Sequence, residues 1–413
     1  MAASVMAVSK SALDVISRDS LDEQGFVMQT PKAIHPSLSP GPKLDALNKK
    51  AVQILTESLE RFASTDEPSV VKMNEWIRYE VMMATTEGIF GPRNPYRDPK
   101  IRSYEAGFVP LMMSVLPALM ARGSVRAREA LVKAYEKYYA ERGYNDSEAS
   151  SFIKDRYEFF TQRGIEPTDI AKMEVTTSIA LIGNTMPATF WLVFHILSDA
   201  AVFNDCRKEL SGAVYDRNGV CTVDVGYIKN SCPILLSTFQ EVMRFHGIGV
   251  SARVVVEDSM LNGQFLLKKG GIVLIPAAAQ HNLSSVWGEN VGEFDHKRFL
   301  QEPGSKKRRY DPVAFRGFGG GSTLCPGRHF ASTEILAFAS FIILRFDVRP
   351  VSGNWVVPTT AKSNPGASMQ QPDYDLDIEI RAHNNRQKWA ISLSGSDKPM
   401  MVSAEDITTS NTK

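Results

Sequence analysis

Cysteine is scarce in this chain: its 413 residues hold four, Cys206, Cys221, Cys232 and Cys325. No two form a CxxC pair, so the close ligand spacing of a zinc site or an iron–sulfur cluster is missing. A chain of this length buries a core that needs no disulfide staples, and scattered thiols suit a reducing compartment. An excess of one charge is also lacking. Lys and Arg number 47 against 46 Asp and Glu, a net of +1, so nothing in the overall field calls for nucleic acid. The first twenty residues carry Lys10, Asp14, Arg18 and Asp19 and have no apolar run before a cleavage site, which argues against a secretory leader. Long hydrophobic runs are nearly absent. The best span candidate, residues 179–197, contains Asn184, Pro187 and His195 and reads as a buried core helix.

Helical periodicity is what the sequence does contain. Residues 43–62 place Leu44, Leu47, Val52, Leu55 and Leu59 at helical spacing. Residues 74–89 continue helical until Gly91-Pro-Arg-Asn-Pro95 ends the element. Pro31, Pro36, Pro40, Gly41 and Pro42 mark residues 31–43 as a loop, and residues 101–163 read as several more helices. Thr168 is a candidate N-cap, with Asp169 in the first turn, for a helix running to Ser198, roughly 46 Å long. That helix is apolar nearly all round and belongs in the middle of the protein. Pro187 predicts a kink or an opened turn in it. A broken central helix is a candidate site; a purely structural kink is the alternative. Residues 233–245 form the next helix, residues 252–256 and 271–275 read as strands around the Asn262-Gly263 turn, and residues 328–344 form a late helix. The expected fold class is mainly α with a minor β-sheet. Residues 1–393 are expected to form a single domain, and residues 394–413 a polar flexible tail.

The sharpest local feature is Phe318-Gly-Gly-Gly-Ser-Thr-Leu-Cys325-Pro-Gly-Arg-His-Phe-Ala331. Consecutive glycines let the backbone turn tightly and leave room for a flat ligand. A cysteine at a helix N-terminus has its thiolate favoured by the dipole and by unpaired N–H groups, which also tune an attached metal. A buried structural cysteine beside a glycine turn is the alternative. Glu241 and Arg244 share a helix face at i and i+3. Arg253 opens a strand, and Phe294-Asp-His-Lys-Arg298-Phe299 precedes the glycine loop.

In this order and spacing the residues resemble the cytochrome P450 family of haem-thiolate monooxygenases. The family's haem loop, F-x-x-G-x-x-x-C-x-G, is filled by Phe318, Gly321, Cys325 and Gly327. The resemblance implies a cytochrome P450 fold holding haem b, with Cys325 as iron ligand and Phe318, Gly319, Gly327 and Arg253 as further cofactor contacts. It also implies a structural triad of Glu241, Arg244 and Arg298. Haem carries two carboxylates, which buried arginines can pair bidentately. Gly183-Asn-Thr-Met-Pro-Ala-Thr-Phe-Trp191 resembles the branch that holds cholesterol 7α-hydroxylase and prostacyclin synthase, a look shared by fungal secondary-metabolism enzymes.

The implied activity is oxidation of a lipophilic small molecule (a steroid, terpenoid, polyketide or alkaloid) with electrons from NADPH-cytochrome P450 reductase. Lys306-Lys-Arg-Arg309 offers a basic docking surface for the donor, or else a solvated loop. The alternatives are a haem-thiolate isomerase or dehydratase that needs no reductase, and an inactive haem-binding form. Three departures from the family pattern bear on the choice. Met186 and Pro187 stand where such proteins carry an acid and an alcohol for proton delivery, which leaves Asn184 and Thr185 as the catalytic candidates and Thr189 as a substitute. Thr323 occupies a position that is usually basic, and the helix after Trp76 has Arg78 but no base four positions on, which puts more of the propionate pairing on Arg253. The chain is expected to begin after the family's anchor, hinge and early sheet, being naturally trimmed or a truncated gene model. Its location is therefore either the endoplasmic-reticulum membrane usual in the family or the cytoplasm. His195, His246, His281, His296 and His329 are expected to be structural or surface groups and not iron ligands.

Overall fold

Pro42 stands at the first position of a helix, where its missing N–H is no loss, and the leucines that follow recur on one face. The computed structural model describes residues 7–18, 22–64, 67–102, 122–301, 310–364, 366–384, 387–393 and 400–410, so the basic run at 306–309 lies outside the described residues. In chain order the elements used below are α1 (Pro42–Ala63), β1 (Ser69–Lys72), α2 (Met73–Phe90), α3 (Pro167–Ile182), α4 (Thr185–Ser198), α5 (Pro233–Phe245), β2 (Val250–Val254), β3 (Ser259–Leu261), β4 (Phe265–Leu267), β5 (Ile272–Pro276), α6 (Arg328–Arg345), β6 (Phe346–Pro350), β7 (Asp377–Ala382) and α7 (Ala404–Ser410). The chain is mainly helical with small sheets, and it divides into two compact units.

The first unit takes in Met1–Cys232, Pro326–Pro358 and Tyr374–Pro399. Its core is built on α1, α2, α4 and α6. Leu44, Leu47, Val52, Leu55 and Leu59 of α1 are buried, as are Phe190, Trp191 and Phe194 of α4 and Phe338, Phe341 and Ile342 of α6. Trp76 lies 5.4 Å from Phe62 and 5.5 Å from Phe338 between ring centroids, which locks α2 to both neighbours. β7 is the centre of a three-stranded antiparallel sheet, pairing Ile380 with Ser69 of β1 and Ala382 with Phe346 of β6. A second three-stranded sheet joins residues Val214–Arg217, Val220–Asp224 and Lys388–Ser392, the last parallel to the middle strand.

Two local readings of this unit change. Residues 31–43 were expected as a loop, yet Phe26–Leu38 is a helix with Pro31 and Pro36 inside it. Tertiary packing overrides the prolines: the Phe26 ring lies 5.6 and 5.4 Å from Phe159 and Phe160, Ile34 and Leu38 are buried, and the Ser37 hydroxyl donates to Asp155. The central helix starts two residues earlier than a Thr168 cap implies. Pro167 takes its first position, Glu166 flanks it, and Thr168 is not the cap. Asp169 instead accepts from the Ser9 amide and hydroxyl at 2.9 and 2.6 Å.

The second unit takes in Pro233–Cys325, Thr359–Asp373 and Met400–Lys413. α5 carries its core face, and β2–β5 form an antiparallel ribbon in which β2 pairs with β5 and β3 with β4. The Asn262-Gly263 turn joins β3 to β4, and the outer strands are Val250–Val254 and Ile272–Pro276. The polar tail expected at 394–413 holds structure in its described part: α7 is a helix, and Met400, Val402, Ala404 and Ile407 are buried. The Gln240 side chain donates to the Met401 carbonyl at 3.0 Å, which ties this segment to α5.

Candidate functional site

In the second unit, α5 sets Glu241 and Arg244 one turn apart, and the structure brings both onto Arg298. Arg244 grips the Glu241 carboxylate with two bonds of 2.7 Å, and Arg298 Nε reaches its two oxygens at 3.0 and 3.2 Å. All three side chains are buried, so the spare donors must be satisfied inside the protein. Arg298 gives them to the carbonyls of Trp287, Asn290 and Glu293 and to Asn290 Oδ1, all within 3.0 Å. Arg244 gives one to the His281 carbonyl at 2.9 Å.

His281 links this cluster to the glycine loop, a role the sequence did not suggest. Its Nε2 accepts the Arg316 N–H at 2.9 Å, and its ring lies 5.9 Å from that of Phe315. Burial, with Arg244 nearby, pushes the imidazole down to about 4, so it is neutral at ordinary pH and can act as an acceptor.

The loop itself is held at both ends. The Cys325 amide donates to the Phe318 carbonyl at 2.9 Å, and the Phe318 ring packs 6.2 Å from Phe239 of α5. Gly319 has φ +77°, and a β-carbon there would stand 3.0 Å from the Thr323 carbonyl, so the position demands glycine. The Gly321 amide donates to Glu405 of α7 at 2.7 Å. Arg253 reaches the loop from β2: its Nη2 donates to Thr323 Oγ1 at 2.9 Å and to the Gly320 carbonyl at 3.2 Å. The threonine in the usually basic position is thus the acceptor for the arginine expected to compensate for it. Cys325 is half-buried, and after it Pro326 and Gly327 lead into α6, with Gly327 as its N-terminal flanking residue.

In the first unit the central helix is broken. α3 ends at Ile182 and α4 begins at Thr185, two residues ahead of Pro187. Pro187 has no N–H to offer the Gly183 carbonyl four residues back. A β-carbon on Gly183 would lie 2.7 Å from the Ile179 carbonyl. Asn184 flanks α4 without a side-chain cap bond. Thr185 and Thr189 turn their hydroxyls back to the Leu181 and Thr185 carbonyls at 3.1 and 2.8 Å. Both hydroxyls are therefore engaged as donors and retain lone pairs that can accept.

Two buried carboxyls were missed because single Glu residues on helices carry no signal. Glu334 of α6 meets the Thr85 hydroxyl at 2.9 and 2.8 Å, and burial pushes it up to about 8. Glu80, four residues after Trp76 where a base is usual, accepts from the Trp76 indole at 3.1 Å and from Arg61 at 2.5 Å. His195 is half-buried, and desolvation pushes it down to about 3.

These donors fit haem. The loop presents one cysteine beside a run of glycines, with an arginine of the adjoining strand already lying on it. Among the described residues no group of three or more His, Cys, Asp or Glu could hold a metal ion. A metal on Cys325 would then take its other ligands from a group that brings its own, as a porphyrin does. Cys325 would bind the iron, and Arg253 would pair a propionate.

A haem-thiolate protein is the class that the loop, the triad and the mainly helical fold define, and comparison with known proteins gives the family. The cytochrome P450 family model matches residues 28–378, and the chain belongs to that family of haem-dependent monooxygenases. Cytochrome P450 monooxygenase nodJ of Hypoxylon pulicicidum is 34% identical over 90% of this chain and 75% of its own length. A cytochrome P450 monooxygenase of Gibberella zeae is 29% identical over 73% of this chain and 60% of its own. The similarity to steroid hydroxylases is weaker: the 5-beta-cholestane-3-alpha,7-alpha-diol 12-alpha-hydroxylase of Sus scrofa is 28% identical over 56% of this chain and 49% of its own. Among solved structures, retinoic acid-bound cyanobacterial CYP120A1 superposes with a TM-score of 0.68 at 18% identity, over 87% of this chain and 80% of that one.

Proposed function

We propose that this protein uses haem b, held by Cys325, to insert oxygen into a lipophilic small molecule of the secondary-metabolite kind, with electrons from an NADPH-cytochrome P450 reductase. The observation that carries the reading is the braced Cys325 loop with Arg253 lying on it. The fungal relatives named as monooxygenases support it. When bound, haem supplies the oxygen-activating redox chemistry, and a thiolate ligand strengthens it by donating electron density to the iron. The protein's share is to hold, orient and supply protons. Arg253 pairs a carboxylate of the cofactor. Asn184 and Thr185 handle protons in place of Met186 and Pro187, which carry none, and the Thr185 hydroxyl, already donating to Leu181, does so by accepting from water.

A second reading rests on those same hydroxyls. With Thr185 and Thr189 both donating to the helix backbone, a haem-thiolate isomerase or dehydratase, which needs no proton relay, is the competitor. The purified protein, reduced and exposed to carbon monoxide, is expected to show a red-shifted Soret band that disappears in Cys325→Ala. Arg253→Gln is expected to retain haem about tenfold more weakly. A well-folded wild type without the band defeats both readings. Turnover that needs NADPH, reductase and oxygen selects the first, and peroxide rearrangement without them selects the second.

A further inference from the structure

Residues 400–410 reach the glycine loop, although the stretch they belong to reads as a polar tail. Met400, Val402, Ala404 and Ile407 bury one side of the segment. Gln240 of α5 donates to its Met401 carbonyl at 3.0 Å. The Ser403 hydroxyl accepts the Asp406 amide at 3.2 Å, which starts α7 and sets Glu405 in its first turn. From there the Glu405 carboxylate accepts the Gly321 amide at 2.7 Å. Arg253 Nη2, from β2, donates to the Gly320 carbonyl at 3.2 Å. That carbonyl and that amide belong to one planar peptide group and point to opposite sides of it. A single peptide plane is thus held by an acid at its N–H and by a base at its C=O.

This plane needs holding because it lies between two glycines. Gly321 has φ +57°, and neither residue has a β-carbon to resist rotation of the peptide between them. A turned plane would set the carbonyl toward Glu405 and the N–H toward Arg253, and both contacts would become repulsive. The turn that leads to Cys325 is built on the same plane. The Gly320 carbonyl also accepts from the Thr323 amide and hydroxyl, at 3.3 and 3.2 Å. The bare backbone at Gly320 makes room for the arrangement: a β-carbon there would stand 3.3 Å from Glu405 Oε1 and collide with the Arg316 guanidinium. We propose that Glu405 is a positioning residue of the cysteine loop. With Arg253 it locks the Gly320–Gly321 peptide in one orientation, and so keeps Thr323 and Cys325 in the geometry that receives haem. The inference rests on the haem-thiolate reading above.

The test compares the haem-loaded full chain with Glu405→Ala and Glu405→Gln. One readout is the lifetime of the red-shifted carbon monoxide band, which moves to shorter wavelength when the thiolate ligand is lost. The other is hydrogen exchange over residues 318–325. Glu405→Ala is expected to shorten the lifetime and lower the loop's protection by about tenfold, and Glu405→Gln, which keeps an oxygen for the Gly321 amide, to stay within about threefold of wild type. Ile407→Val trims the packing of α7 and leaves the carboxylate in place, so it is expected to lower the melting temperature and keep the lifetime of wild type. Glu405→Ala that matches wild type overturns the proposal, as does Glu405→Gln no longer-lived than Glu405→Ala. So does Ile407→Val as short-lived as Glu405→Ala, which would make α7 a structural brace and nothing more. A well-folded wild type without the band would instead overturn the haem reading on which the inference rests.

Discussion

Glu241 is one carboxylate shared by two buried guanidiniums, and its loss leaves both without a counter-charge. Breaking a buried ion pair from one side costs about 3–5 kcal/mol, because the remaining charge stays buried. Glu241→Ala is therefore expected to unfold most readily among single changes in the second unit, measured as a drop of that size in denaturant stability. Arg298→Ala should follow it, since that change also orphans the carbonyls of Trp287, Asn290 and Glu293. A variant that loses less than about 1 kcal/mol would show that water or a neighbouring group replaces the missing charge. These residues were legible beforehand because Glu-x-x-Arg and a later arginine stand in a fixed order. His281 was not, because its contribution is a carbonyl and a ring nitrogen that only the folded chain brings between Arg244 and Arg316. Glu334 was equally silent: a lone acid in a helix looks solvated until its neighbours bury it.

The break between α3 and α4 was foreseen from Pro187 but placed one turn late. Proline disturbs the carbonyl four residues before it, so the opening falls at Gly183 and Asn184. The two residues make opposite predictions. Gly183→Ala drives a methyl against the Ile179 carbonyl, 2.7 Å away, and is expected to lower the melting temperature. Pro187→Ala restores an amide for the Gly183 carbonyl and is expected to raise it, by less than the about 3 kcal/mol that proline costs in a helix interior, because Pro187 lies in the first turn of α4. Thermal unfolding of the two variants checks the signs, and equal shifts in one direction would show that the break is not held by this pair. Elsewhere the limits of local reading have a common cause. Two prolines outvoted in the sequence what Phe26, Ile34 and Leu38 decide by packing. A polar composition concealed α7, which is kept by four buried apolar side chains and by the Glu405 bond to Gly321. The helices α1, α2, α5 and α6 came within a residue or two of their bounds: α1 and α5 carry a periodic apolar face, and α2 and α6 are apolar stretches buried nearly all round and flanked by glycine and proline.

Stability of the chain against pH should follow from three desolvated groups that pull in opposite directions. Glu334 is raised to about 8 from 4.5 by burial. The folded protein keeps its proton through that window while the unfolded chain has lost it, so rising pH favours unfolding by ~1.4 kcal/mol per unit. His281 and His195 are lowered by burial to about 4 and about 3 from 6.5. Below 6.5 the unfolded chain takes up protons that the folded one refuses, so falling pH removes stability, by up to twice that slope with both groups acting. Between 4.5 and 6.5 the two imidazoles outweigh the Glu334 carboxyl, and above 6.5 they no longer oppose it. The melting temperature is therefore expected to climb from pH 4.5 to a maximum near 6.5 and to decline toward 8. Glu334→Gln keeps a group that can accept from Thr85 and removes the titration, so it should flatten the decline and leave the acid side unchanged. Thermal melts of the two proteins across this range decide it: an alkaline limb identical in both would mean that Glu334 ionises in the folded protein as readily as in the unfolded chain, with its burial relieved by water.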